Sequence, residues 1–282
     1  MLHKLRSSGK RLFVLTNSLW DYTDDLMRHL LHGKLKAYPS WRNYFDVVVV
    51  GAAKPGFFTG DAPFVEIDPE THASKGPVRG SLSDKKIYQG GNLVAFEQKT
   101  GASGDKVLYV GDHIYGDMLR AKKSGVWRTA MIVQELEDEL VLSERHAASI
   151  KLGEELDRRR RNLDADIDFQ QLLLKSLQRM DDGNGLAVNM DVAKKQVKAT
   201  LDELRASLRR VAADCERLEE HLDRLYNPHW GPLFKEGSEN SRFGEQVDDY
   251  ACLYTSRVSN FLAYSPLRYF RSPPDHLPHE LD

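Results

Sequence analysis

The stretch KVLYVGDHIYGDMLRAKKSG, Lys106 to Gly125, runs from an apolar segment directly into two aspartates, Asp112 and Asp117. KVLYV has the character of a strand buried on both faces of a parallel sheet, and DMLRAKKSG reads as a helix stopped by Gly125. A carboxylate just past the end of such a strand sits where open α/β sheets bind their ligands. Taken alone, Asp112 is equally well explained as a helix N-cap, and Asp117 as a first-turn acid favoured by the helix dipole. What the other strand ends carry decides between these readings.

Working outward, RLFVL (Arg11 to Leu15) and DVVVV (Asp46 to Val50) are further apolar runs, and WRTAMIV (Trp127 to Val133) is a weaker one. Trp20, Leu26, Met27, Leu30 and Leu31 fall at helical spacing, and NLVAFEQKTG predicts a helix stopped by Gly101. Strands alternating with helices imply an α/β domain with a parallel sheet. Between Phe57 and Gly91 the rhythm breaks, and PFVEID with GPVRGSL predicts a β-hairpin excursion.

From about Gln134 the chain becomes charged and helical. Apolar or semi-apolar residues recur at Val197, Leu201, Leu204, Leu208, Val211, Cys215, Leu218, Leu222 and Leu225, alternating steps of 4 and 3 residues, which is a heptad seam. Leu163, Ile167, Leu174 and Leu177 share a face of an earlier, less regular helical stretch, Leu136 to Met180. DDGNG (Asp181 to Gly185) is a turn signal between the two, so an antiparallel hairpin is expected, packing on its own domain or on another subunit. Phe234 onward is aromatic and irregular, and RSPPDHLPHELD excludes a regular helix through its prolines. The expected organisation is a partial core over 1–133, a helical hairpin over 134–226 and a segment over 227–282 packing on the core.

The 282 residues carry 40 Lys plus Arg against 42 Asp plus Glu, a balance that gives no electrostatic reason to expect nucleic acid or a membrane surface as partner. Cys215 and Cys252 are too few for a disulfide framework or a thiolate zinc site, which suits a reducing compartment. No apolar run approaches the roughly 18 residues that would span a bilayer, and MLHKLRSSGKRLFVL is too short in its apolar part for a secretory signal. A cytoplasmic location is expected.

Three strand ends supply chemistry. LTNS after the first strand sets a hydroxyl, an amide and a hydroxyl beside a helix N-terminus, a plausible phosphate cradle, although Thr16 or Ser18 can equally serve as a plain cap. Lys54, after DVVVVGAA, brings an ammonium to a second strand end. Asp112 and Asp117 bring oxygen ligands suited to Mg²⁺ at a third. A hydroxyl, an ammonium and an acidic pair are the parts of a metal-assisted phosphoryl-transfer site.

These strings resemble a known family. FVLTNS looks like motif II of the haloacid dehalogenase superfamily, AAKPGFF like motif III and YVGDHIYGD like motif IV. TNSLWDYTDDLM, KPGFF, IYQGGN, YVGDHIYGDMLRAKKSGVWRT and the terminal LPHE narrow the resemblance to the cytosolic purine 5′-nucleotidases, whose better-known members hydrolyse IMP and GMP. The resemblance implies an incomplete haloacid dehalogenase-like, Rossmann-like parallel sheet with a helical hairpin. It assigns phosphate binding to Thr16, Asn17 and Ser18, with Asn17 also shaping the loop. Lys54 would neutralise the phosphate, Asp112 and Asp117 would hold Mg²⁺, and Lys54 and Thr16 would be the catalytic residues present. His113 would order the loop, and Tyr115 would either stack on an effector base or simply pack. The implied partners are a purine nucleoside monophosphate and further copies of the chain.

The family's two reacting aspartates come from motif I, an apolar strand followed by D-x-D-x-T. DYTDD (Asp21 to Asp25) lies past its strand and matches the motif II helix instead, and DADID (Asp164 to Asp168) sits in a charged helix. Neither is motif I. The resemblance therefore implies the motif II to IV part of the enzyme, without the nucleophile, the cap domain or the central strand, and with an apolar gap left in the sheet. The alternative is a non-catalytic oligomeric or regulatory relative whose main asset is the hairpin. Three other stretches carry no chemistry in this reading. GASGD is a loop, RRRR (Arg158 to Arg161) a solvated helix face, and HLPHE lacks the helix that a zinc site of that kind needs.

Overall fold

A computed structural model of the protein describes residues 1–82, 86–181, 187–237 and 239–270. The chain divides into two compact units, one formed by Met1–Gln134 with the chain from Gln246 onward, the other by Glu135–Glu245. Residues 227–245, grouped with the tail by the sequence analysis, thus belong to the helical unit.

The first unit begins with α1 (Leu2–Ser7), β1 (Phe13–Leu15), α2 (Trp20–Leu31), β2 (Val47–Val50) and the short α3 (Gly56–Thr59). It continues through β3 (Phe64–Ile67), β4 (Ser74–Pro77), β5 (Ile87–Gly90), α4 (Leu93–Thr100), β6 (Leu108–Gly111), α5 (Arg120–Gly125) and β7 (Arg128–Ile132). In the second unit α6 (Leu136–Arg145), α7 (Ala147–Asp181) and α8 (Ala187–Asp223) precede the two-stranded pair β8 (Lys235–Glu236) and β9 (Glu239–Asn240). Beyond it, α9 (Arg242–Tyr250) and β10 (Leu253–Thr255) follow.

The first unit is α/β and Rossmann-like. Its strands form one sheet of order β1-β2-β5-β3-β4 and another of order β10-β7-β6. Pairs β1–β2, β2–β5, β6–β7 and β7–β10 are parallel, and β3 is antiparallel to both β4 and β5. All four valines of β2 are buried, as a strand covered on both faces requires. Val48 and Val50 pack with Trp20, Trp41, Ile67 and Ile87. On the other side lies an aromatic cluster in which Trp127, 1% exposed, touches Phe13, Phe58, Phe96 and Tyr109. The Trp127 indole N–H also donates to Glu97 Oε1 (2.8 Å), so this ring is held by a polar bond as well as by packing.

β1 and β6 are each at the edge of their sheet. Asp46 N–H donates to Leu12 O and Thr16 N–H to Val49 O. Alternate residues of a parallel strand face one neighbour, so the backbone groups of Phe13 and Leu15 point away from β2. Arg128 N–H donates to Val107 O, which by the same rule turns Leu108 and Val110 away from β7. The two edges are close, since the Phe13 and Tyr109 rings stack with centroids 6.3 Å apart.

Several expectations change in detail. Gly125 does not end its helix as a left-handed cap. Val126 takes that conformation (φ 54°), and Gly125 is small because a Cβ there would sit 3.0 Å from the Trp127 ring. The helix expected from Asp117 begins instead with a π-helical turn, Ile114–Leu119. The hairpin excursion exists, but its second strand starts at Ser74, two residues before GPVRGSL. β5 was not anticipated as a strand, since IYQG is short and ends in glycines. The tail, expected to be irregular, contributes α9 and a parallel strand, β10, which extends the second sheet. DDGNG lies outside the described residues from Asp182 onward, and RSPPDHLPHELD with its LPHE lies outside them from Ser272 onward, as does Arg271.

In the helical unit, α6 and α7 are separate helices that break at His146. Ile167, Val197 and Leu201 form a buried cluster with Leu174, Leu177, Leu204 and Leu208. The heptad seam of α8 is thus occupied by α7 of the same chain.

Candidate active site

β1 delivers Thr16, Asn17 and Ser18 just past its carboxyl end, where α2 begins. Thr16 continues the ladder to β2, and its Oγ1 accepts Ser18 N–H at 3.1 Å. Asn17 binds the backbone of Lys54 in both directions, Nδ2 donating to Lys54 O (2.9 Å) and Oδ1 accepting Lys54 N–H (2.6 Å). Its amide ties the β1 loop to the β2 loop and so frames both.

Lys54 follows a sharp turn after β2, with Gly51 and Ala53 both at positive φ. Its ammonium donates to Leu15 O (3.2 Å), Tyr109 Oη (2.9 Å) and Asp117 Oδ1 (2.7 Å). The Lys54 and Asp117 side chains are 12% and 6% exposed. A pair this buried is costly to leave half-made. One lysine thus joins the ends of three strands, β1, β2 and β6.

Asp117 sits in the π-helical turn. His113 O accepts from both Asp117 N–H (2.9 Å) and Met118 N–H (3.3 Å), the wide hydrogen bonding that marks such turns at functional sites. Buried Ile114 and Met118 anchor the turn, and His113 Nδ1 accepts Gly116 N–H (2.9 Å) to close its start. The turn carries the Asp117 carboxylate over Gly111. A Cβ on Gly111 would lie 2.6 Å from Asp117 Oδ2, so only glycine fits there. Asp112 follows at once, exposed at the mouth of β6, and Tyr115 points outward with its hydroxyl accepting from Gln246 Nε2 (2.8 Å).

Tyr109 completes the group and was not singled out in the sequence. Its hydroxyl donates to Asp117 Oδ1 (2.9 Å) while accepting from Lys54. Burial first, then the Asp117 and Asp112 charges, push its pKa far above the ordinary phenol value, so it stays a neutral donor. A signal was available in the sequence: a tyrosine in a strand buried on both faces needs a partner for its hydroxyl.

Oxygen ligands of a metal are present in part. Among the described residues no three His, Cys, Asp or Glu side chains gather into a cluster. The Asp112 and Asp117 pair nevertheless fits Mg²⁺, which takes one or two carboxylates and fills its remaining positions with water and substrate phosphate. Asp117 Oδ2 has no hydrogen-bond partner among the described residues, whereas every fully buried side-chain polar atom has one. Oδ2 therefore keeps an open side beside Gly111.

The acids set aside in the sequence have structural partners. Asp24 accepts from Trp41 Nε1 and Arg28 Nε, each at 2.7 Å, and Asp21 pairs with His72 (2.6 Å). Arg160 and Arg161 bind Asp157 of α7, which is buried. Among the described residues no helix is long and apolar enough to cross a membrane.

A Rossmann-like core whose strand ends carry a hydroxyl loop, a lysine and two aspartates defines an α/β protein with a polar, charged rim at the carboxyl ends of its strands. The sequence profile of the 5′ nucleotidase family matches residues 1–282, and the chain belongs to that family. A 5′-nucleotidase domain-containing protein of Dictyostelium discoideum is 27% identical over 280 residues, covering 99% of this chain and 42% of its own. 5′-nucleotidase domain-containing protein 2 of Rattus norvegicus is 31% identical over 272 residues (94% of this chain, 41% of its own). The human protein of the same name is 31% identical over 271 residues (94% and 44%). The chain thus spans about two fifths of the length of these relatives.

Proposed function

We propose that these residues form the phosphate- and metal-binding part of a Mg²⁺-dependent 5′-nucleotidase of haloacid dehalogenase type, acting in the cytoplasm on purine nucleoside 5′-monophosphates. The observation that carries this reading is the Lys54 ammonium, held at once by the carboxyl end of β1 and by Asp117. An ammonium there neutralises a phosphate seated on Thr16 and Ser18, beside the metal carboxylates. Asn17 keeps the two loops in register. Asp112 and Asp117 would hold the Mg²⁺, which when bound supplies charge stabilisation to the phosphoryl oxygens. The purine preference rests on the resemblance of the motif strings.

Attack on phosphorus and proton transfer to the leaving oxygen need two further carboxylates, and this sequence has no D-x-D-x-T after an apolar strand. We assign them to a strand from outside these residues, in the same polypeptide or a second one, lying between β1 and β6. The backbone groups of Phe13, Leu108 and Val110, which point away from β2 and β7, support that position.

The test measures phosphate release from IMP and GMP with Mg²⁺, together with the melting temperature in Mg²⁺ and inorganic phosphate, for the 282-residue chain and its Lys54→Ala variant. The expected result is no release, and a ligand-dependent rise in melting temperature that the variant loses. Release that vanishes in Lys54→Ala would place the nucleophile inside these residues and overturn the strand assignment. No ligand response from the folded chain would overturn the site itself.

A further inference from the structure

The two oxygens of Asp117 are treated differently by the protein. Oδ1 receives the Lys54 ammonium at 2.7 Å and the Tyr109 hydroxyl at 2.9 Å, which fills the acceptor capacity of one carboxylate oxygen. Oδ2 faces Gly111 and keeps its open side. Lys54 and Tyr109 are themselves bonded at 2.9 Å, so the three polar atoms form a closed triangle. The carboxylate cannot rotate to present both oxygens without breaking two bonds and setting a cation beside an ammonium.

We propose that Tyr109 is a positioning residue for the metal: together with Lys54 it occupies Oδ1 of Asp117, leaves the carboxylate a single oxygen to offer, and so selects Mg²⁺ over Ca²⁺. This rests on the metal-site reading of Asp112 and Asp117. Mg²⁺ is small, takes near-ideal octahedral geometry and accepts carboxylates one oxygen at a time. Ca²⁺ takes more ligands and often uses both oxygens of one carboxylate. Groups that hydrogen-bond to a ligand orient it and raise metal affinity, and their loss costs roughly 10- to 100-fold. Tyr109 packs against Phe58 and Trp127, and phenylalanine preserves those ring contacts while removing only the hydroxyl.

The experiment is calorimetric titration of the full chain with Mg²⁺ alone and with Ca²⁺ alone, for wild type, Tyr109→Phe and Asp117→Asn. Wild type is expected to bind Mg²⁺ more tightly than Ca²⁺. Tyr109→Phe is expected to weaken Mg²⁺ by about tenfold and to leave Ca²⁺ unchanged or tighter, narrowing the preference, and Asp117→Asn is expected to lose both. If wild type binds neither metal, the metal-site reading fails and takes this inference with it. If wild type prefers Mg²⁺ and Tyr109→Phe changes both affinities equally or not at all, the inference alone fails. Should Tyr109→Phe not fold, Lys54→Met frees the other side of Oδ1, and an unchanged metal preference in that variant overturns the proposal.

Discussion

In the α7–α8 hairpin the side chains that meet are chemically alike and recur at a fixed step along the helix, so each contact is one of many similar ones. At the strand ends Leu15, Lys54, Tyr109 and Asp117 meet once, and each bond differs in kind from the others. The hairpin spreads its stability over a repeat, whereas the site concentrates its geometry in a few buried polar atoms. Apolar contact is non-directional and tolerates exchange of one residue for another of similar volume. A buried ion pair tolerates no loss of one partner.

The largest effect expected from this contrast is at Lys54. Lys54→Ala leaves the Asp117 charge buried without its cation and should destabilise the first unit by about 3–5 kcal/mol in denaturant titration. Combining it with Asp117→Ala should cost clearly less than the sum of the two single changes. Additive costs would show that the pair is not a unit. Next comes the hairpin: Leu201→Ala removes a side chain that is 3% exposed and should cost about 2–4 kcal/mol. Hydrogen exchange should rise in α7 and α8, while β2 and β7 stay protected. Equal loss of protection in both units would break the distinction between them.

The smallest effect is expected at the β3–β4 turn. Asp68 accepts the N–H groups of Glu70 and Thr71 and pairs with Lys75. The Lys75 hydrogen bond first, then the two backbone donors, hold its pKa well below the usual carboxylate range. A carboxyl with a depressed folded-state pKa contributes its stability in full above its unfolded value and loses it as pH falls further. Acidification below about pH 4 should therefore loosen this turn, read as faster exchange at Glu70 and Thr71, and Asp68→Asn should remove most of that pH dependence. The exposure of the group keeps the effect small.

Much of the fold was legible from local pattern. The four valines of β2, the helical spacing from Trp20 to Leu31 and the left-handed cap at Gly101 all appear where the residues indicate. Short pieces were harder to read. β5 holds through its neighbours β2 and β3, and β10 through β7, and such strands carry little periodicity of their own. Gly125 was misread for a similar reason: a helix cap and a glycine that makes room for a distant ring look the same in sequence.

For the site, the sequence determined which residue types stand at the ends of three strands, because strand ends and turns are written in neighbouring residues. The tertiary structure decided how they meet. It placed Lys54 across the gap to Asp117, committed the Asn17 amide to the Lys54 backbone, left Asp112 exposed while burying Asp117, and brought Tyr109 in as the third corner. Each of these depends on contacts between residues far apart in the chain. Local propensity does not encode such distances, and they are fixed only when parallel strands align their carboxyl ends along one rim.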